Sequence, residues 1–194
     1  MHLSAAVRAS VSPFLASGYG YDSYVMPQPE IPGWMTADEL EWLYQRARSH
    51  SQIAEIGSWK GRSTHALLSG CPGQVTAVDH FSGSPGDLHS LFSDADAVYR
   101  EFLANCGRFP NLSVLRMPSF LAAQALPDAG FDMIFIDGDH AKQPALNDME
   151  AWYPKLHPGG LFCGHDIDKP GVGDALREFF GMVPRTAAGT IWEL

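Results

Sequence analysis

Glu55-Ile56-Gly57-Ser58-Trp59-Lys60-Gly61-Arg62-Ser63-Thr64 is the stretch on which the fold turns. Just ahead of it, Ile53-Ala54-Glu55-Ile56 has the pattern of a short buried strand. Gly57 and Gly61 let the backbone turn sharply and stay bare, and Ser63-Thr64-His65-Ala66-Leu67-Leu68 starts a helix. A bare turn between a strand and a helix N-terminus gathers unpaired backbone N–H groups and the positive end of the helix dipole. It is therefore a site for a charged small molecule. Asp79 closes the next apolar run, Gln74-Val75-Thr76-Ala77-Val78. In a doubly wound sheet, an acid roughly 20 residues past the glycine turn meets a ribose hydroxyl pair. The combination predicts a nucleoside-bearing cofactor.

The glycine spacing narrows the choice. It is Gly-x-x-x-Gly, whereas a dinucleotide's pyrophosphate needs a middle glycine for close backbone approach. Here that region holds the bulky Trp59. Glu55, just before the first glycine, repels phosphate but suits an ammonium group. S-adenosylmethionine carries an ammonium, a sulfonium and no phosphate, so the charge pattern favours it over NAD. The bland alternative is a glycine-rich strand–helix turn that binds nothing.

Working outward, short apolar strands near 52–56, 74–79, 113–117, 131–137 and 160–164 alternate with helices near 62–69, 94–105, 120–125, 143–153 and 172–180. This repetition predicts an α/β fold: a doubly wound, Rossmann-like, mostly parallel sheet covered on both faces. Thr36-Ala37-Asp38-Glu39 is a capping-box pattern, and the helix it starts carries Leu40, Leu43, Tyr44 and Ala47 on one face. The tail from Met182 to Leu194 holds two short strand candidates around Ala188-Gly189, an antiparallel edge hairpin. Residues 1–20 are expected to form one helix and 21–33 an extended arm, so that 1–35 cover the substrate side of a single 1–194 domain whose Rossmann-like core is 36–194. Tyr21, Tyr24 and Trp34 either cover a substrate or pack against the first helix. The Gly/Ser/Pro-rich loop over 81–93 is long for a strand–helix connection and is either a clamp or a plain surface loop.

Two further polar clusters end buried strands: Asp137-Gly138-Asp139-His140 after Phe131–Ile136, and His165-Asp166 after Pro158–Gly164. In an open parallel sheet, ligands gather at the strand C-termini, so both clusters share a rim with Gly57 and Asp79. Asp139 reads as a turn acid leading into a helix that Pro144 helps to start, and His157 as a surface loop residue. An imidazole such as that of His140 is a side chain able to take a hydroxyl proton at physiological pH.

Together these motifs resemble the class I S-adenosylmethionine-dependent methyltransferases over roughly residues 30 to 180, closest to the catechol-type and the macrolide-sugar (macrocin and mycinamicin) type O-methyltransferases. The resemblance implies that Glu55, Gly57, Ser58, Trp59, Gly61, Arg62 and Ser63 hold the methionine moiety and that Asp79 binds the ribose. It implies further that Ser119 meets the adenine, and that Asp137 faces the cofactor and binds a divalent metal; His80 and Phe81 directly follow the ribose acid and are candidates to flank the adenosine. His140 stands at the position of the general base. His165 and Asp166 stand where the family completes its metal site with an acid pair, and the histidine is a departure. Magnesium prefers oxygen ligands, so an imidazole shifts the expectation toward manganese. A base that is His rather than Lys favours a sugar, glycoside or natural-product hydroxyl over a catechol. Relatives of this fold named as cephalosporin hydroxylases keep a second possibility open: an iron oxygenase using His140, His165 and one of Asp137 or Asp166. A non-catalytic S-adenosylmethionine-binding protein is a third. The family commonly forms dimers, so a homodimer is possible.

Composition bounds the rest. The 194 residues suit one domain with a full-sized core, and 45% are apolar. A formal net charge of −9 argues against nucleic acid as substrate, because backbone binding needs a Lys/Arg surface. There is no apolar run long enough to span a membrane, and the N-terminus is a poor signal peptide. Three scattered cysteines, Cys71, Cys106 and Cys163, fit reduced thiols and a cytoplasmic setting, with Cys163 in the core.

Overall fold

The computed structural model describes residues 30–84 and 94–194. The helix expected over 1–20, Tyr21, Tyr24 and most of the 81–93 loop lie outside the described residues. The first described element is helix α1, Ala37–Ala47, and it starts as the sequence predicts: Thr36 Oγ1 accepts from Glu39 N at 3.3 Å, and Glu39 Oε2 accepts from Thr36 N at 2.7 Å.

Strand and helix then alternate: β1 Gln52–Ile56, α2 Arg62–Gly70, β2 Gln74–Val78, α3 Ala95–Cys106, β3 Leu112–Leu115, α4 Ser119–Ala125, β4 Phe131–Ile136, α5 Lys142–Trp152, β5 Leu156–Gly164 and α6 Pro170–Phe180. The chain closes with β6 Arg185–Ala188 and β7 Ile191–Glu193. The sheet order is β3-β2-β1-β4-β5-β7-β6. The first five strands are mutually parallel, and β7 runs antiparallel between β5 and β6. This is the doubly wound sheet with the expected edge hairpin. The winding reverses between β1 and β4, so a crevice opens beyond their C-terminal ends.

Two strand boundaries differ from expectation by more than one residue. β3 ends at Leu115, before Arg116 and Met117, and β5 begins at Leu156 rather than near 160. The extra length of β5 holds exposed His157, Pro158 and Gly159; it pairs through Leu156 with Phe131 and then shifts register before Leu161 meets Met133. Gly159, at φ +85°, supplies the backbone that this bulge needs.

Period-two alternation splits the core into two layers. Ile53, Val75, Ala77, Met133 and Phe135 face α1, α2 and α3, with Leu43, Leu67 and Phe102. Ala54, Ile56, Val78, Ile134 and Ile136 face α4, α5 and α6, with Trp152 and Leu176. The three cysteines are free and buried. Among the described residues, no helix is long and apolar enough to cross a membrane.

Candidate functional site

The β1–α2 turn is built around two carboxylates. Asp79, at the end of β2, accepts from Ser58 N at 2.9 Å and Trp59 N at 2.7 Å through one oxygen, and from Phe81 N at 2.6 Å through the other. Glu55 is completely buried and accepts from Ser58 Oγ at 2.8 Å, Ser63 Oγ at 2.5 Å and Thr64 Oγ1. Burial pushes its carboxyl up to about 7, against the pull of those three hydroxyl donors. Glu55 has the same strand parity as Ile53, so its side chain points under α2 and does not line the cavity beyond the turn. Through its three hydroxyl partners it braces the turn from behind.

The glycines are also explained by packing. At Gly57, φ +92°, a Cβ would strike the backbone of Asp137. At Gly61, φ +88°, a Cβ would lie 2.6 Å from Cys106 Sγ. Gly61 therefore faces α3 and is not among the cavity's lining residues.

The remaining predicted residues share one cavity of about 960 Å³. Its wall includes Gly57, Ser58, Trp59, Arg62, Ser63, Asp79, His80, Ser119, Asp137, His140, His165 and Asp166. Four non-glycine residues among those described have positive φ, and three of them, Trp59 (+42°), Phe81 (+63°) and Asp166 (+59°), line this cavity. Such backbone costs free energy and persists where the surroundings hold it in place.

At the far rim, His140 Nε2 lies 2.8 Å from Asp166 Oδ2. The ring of His165 is 8% exposed and stands behind them, with Nδ1 3.2 Å from Asp166 Oδ2 and 3.5 Å from Asp137 Oδ1. Its Nε2 lies 3.1 Å from Glu39 Oε1 and 2.9 Å from Thr190 Oγ1. Burial alone would lower the pKa of His165; the bonds to Asp137 and Asp166 outweigh it and raise it to about 11. Asp166 is partly buried, yet the two imidazoles hold it well below the usual carboxylate range.

Asp137, His140 and Asp166 each offer a donor atom within 4.8 Å of the others, the spacing of a metal-binding group. His165 is not in that set. The sequence expectation is Asp137, His165 and Asp166; in the group with this spacing His140 stands in the third place.

A family model described as a methyltransferase domain matches residues 54–167, more than half of the chain. The chain belongs to this methyltransferase family. A curated relative, the uncharacterized protein y4gI of Sinorhizobium fredii, is 26% identical over 130 residues, covering 66% of this chain. The chain spans only 14% of the length of that relative. Among solved structures, the cofactor-bound protein Rv0187 from MTB superposes with a TM-score of 0.58 at 21% identity, over 80% of this chain and 71% of that one. The O-methyltransferase of Bacillus cereus in complex with SAH gives 0.54 at 21% identity, over 79% and 71%. These likenesses show the shared fold.

The methyltransferase cavity also holds a residue that sequence reasoning passed over, Asp148. Asp148, from α5, lines it and accepts from Ser119 Oγ at 2.6 Å, while Ser119 Oγ accepts from Trp152 Nε1 at 2.8 Å. The Ser119 hydroxyl proton is thus spent on Asp148. Burial pushes Asp148 up to about 6, with nearby Asp139 adding to the rise and Ser119 opposing it. Arg62 spends its guanidinium on the carbonyls of Ile31 (2.6 Å) and Met35 (3.1 Å), so it ties the arm to the N-terminus of α2. Trp34, on that arm, packs against Trp59 with ring centroids 4.6 Å apart and planes tilted by 31°. A lone Asp within a helix gave no sequence signal, and neither did a Trp–Trp pair formed across 25 positions.

Proposed function

We propose that this methyltransferase moves the methyl group of S-adenosylmethionine onto a hydroxyl of a small molecule. The observation that carries this is the shared cavity: one space holds the Gly57–Ser63 turn with Asp79 at one side and the His140–Asp166 pair at the other. Its volume of about 960 Å³ is ample for a nucleoside donor beside a small acceptor. The charge argument for a cationic donor survives on different residues. Glu55 is out of reach, but Asp79, Asp137, Asp139, Asp148 and Asp166 all line the wall.

Methyl transfer needs the acceptor oxygen in line with the sulfonium methyl and stripped of its proton. With Nε2–H donated to Asp166, Nδ1 of His140 is the nitrogen that accepts that proton. An oxygen lone pair forms the new O–CH₃ bond, and the C–S bonding pair returns to sulfur, which leaves as a neutral thioether. Asp166 orients the ring and stabilises the imidazolium that forms. Asp79, opposite Ser58 and Trp59, fits the ribose, and the Ser119–Asp148 pair the base. The Trp34–Trp59 pair offers an aromatic face to a sugar ring or an aromatic acceptor.

Asp137, His140 and Asp166 also form a donor set suited to a hard or borderline divalent cation such as magnesium or manganese. Bound there, such an ion would supply Lewis-acid polarisation of the acceptor oxygen. The alternative of a two-histidine iron oxygenase is weakened, because the donor group holds one histidine, His140.

The deciding experiment is a labelled-methyl transfer screen against glycosides and phenols, run with chelator and with added manganese. Methylated product in the presence of chelator supports the His140–Asp166 mechanism. Turnover only with manganese assigns these residues to the metal. Product from no hydroxylated acceptor, with hydroxylation on added iron, sinks the proposal.

A further inference from the structure

Glu39 belongs to α1, at the start of the described chain, yet its carboxylate ends beside the reaction centre. It is 3% exposed. Oε2 caps the helix, accepting from Thr36 N at 2.7 Å and Thr36 Oγ1 at 2.9 Å. Oε1 has a separate set of partners: Thr190 N at 2.7 Å, Thr190 Oγ1 at 3.1 Å and His165 Nε2 at 3.1 Å. Helix capping accounts for Oε2 and leaves Oε1 unexplained. The β6–β7 hairpin is shaped to meet that second oxygen, because Gly189, at φ +51°, sits where any Cβ would strike the Glu39 carboxylate.

From His165 the contacts continue inward. Nδ1 reaches Asp166 Oδ2 at 3.2 Å and Asp137 Oδ1 at 3.5 Å, and Asp166 Oδ2 takes His140 Nε2 at 2.8 Å. Asp166 holds a left-handed backbone at φ +59°, a conformation that needs bracing from its neighbours. The oxygen of Asp166 that bonds His140 is the same one that His165 fixes.

We propose that Glu39 is a positioning residue for the reaction: by fixing the ring of His165 it sets Asp166, and through Asp166 the tautomer and orientation of His140. The inference rests on His140 being the proton acceptor. It extends that role to a carboxylate outside the cavity wall, and it makes correct seating of α1 and the C-terminal hairpin a condition of a competent centre. A histidine whose outer nitrogen bonds a buried carboxylate is held in one ring orientation, the arrangement by which outer partners orient working imidazoles elsewhere.

The test uses the full chain and ¹⁵N-imidazole NMR, which reports tautomer without an acceptor. Three variants are compared. Glu39→Gln keeps the shape and an acceptor oxygen but removes the charge. Thr190→Val removes one hydroxyl from the same oxygen and from His165. Thr36→Ala breaks the helix cap on the other oxygen and serves as the stability control. The proposal expects wild-type His140 in the Nε2–H tautomer, a mixed or shifted signal for His140 and His165 in Glu39→Gln, a smaller shift of the same sense in Thr190→Val, and wild-type signals in Thr36→Ala. With an acceptor from the screen, Glu39→Gln lowers kcat at least tenfold while KM and SAH affinity stay within twofold. Unshifted His140 signals in Glu39→Gln overturn the proposal. So do equal shifts in Thr36→Ala, which would mark a packing effect. If Glu39→Gln fails to fold, Thr190→Val decides by the same signals. Retained turnover in His140→Ala, beside a tautomer shift in Glu39→Gln, would instead overturn the proton-acceptor role and leave the positioning contact standing.

Discussion

Asp79 and Glu55 illustrate how two acids near one turn come to do different work. Asp79 sits half-buried at the strand end, holds the N–H groups of Ser58 and Trp59, and still borders the cavity. Asp79→Ala should cut S-adenosylmethionine affinity by tenfold or more in calorimetry, since it removes both the proposed ribose contact and two turn bonds. Asp79→Asn should lose less. Wild-type affinity in Asp79→Ala would remove the ribose assignment. His140→Ala should leave SAH affinity within twofold while lowering turnover by about 10²- to 10⁴-fold, the usual share of a general base. Glu55 carries a pH prediction. Its folded pKa, about 7, lies above the ordinary 4.5, so its contribution to stability is complete below about pH 4.5 and is lost as pH rises through 7. Wild-type protein should therefore lose more thermal stability between pH 5 and pH 8 than Glu55→Gln does. Parallel pH profiles would show that Glu55 is ionised throughout.

At the scale of elements, the turns and caps were legible and the reasons for them were not. The Thr36–Glu39 capping box, the Gly57 turn and the Ala188-Gly189 hairpin each follow from local chemistry: a hydroxyl before a helix, a residue free to take positive φ, a short turn between strands. Gly57 and Gly61 read equally well as bare backbone for a ligand or as sites of close packing. The structure shows close packing at both, against Asp137 and against Cys106. Gly57→Ala should then be the costlier change. A Cβ there must displace the C-terminal end of β4, so both the unfolding midpoint and SAH binding should drop, with a stability loss of at least about 2 kcal/mol. If Gly57→Ala binds SAH normally with an unchanged midpoint, the β1–β4 contact yields to a methyl group and close packing is not what requires glycine there.

For the whole molecule, the winding order does the functional work. Placing β1 and β4 side by side brings Gly57, Asp79, Asp137 and His165 to one rim from four different strands. Ligand linkage tests the donor at this scale: a ligand at 100 times its Kd stabilises the fold by about 3 kcal/mol. That should raise the midpoint by roughly 6 to 12 °C for a chain of this size. SAH should produce this shift and NAD should not; the reverse would favour a dinucleotide.

The sequence by itself determined the α/β alternation, the turn after β1, the acid closing β2 and the two polar clusters. Each of these is written in residues near one another, where periodicity, glycine and capping act. Tertiary structure alone decided which acids face the cavity and which brace it from behind. Strand parity sent Glu55 under α2, and a contact across 126 residues brought Glu39 to His165. The physical reason is that a buried carboxylate or imidazole takes its role from its hydrogen-bond partners, and those partners are chosen by how the layers pack.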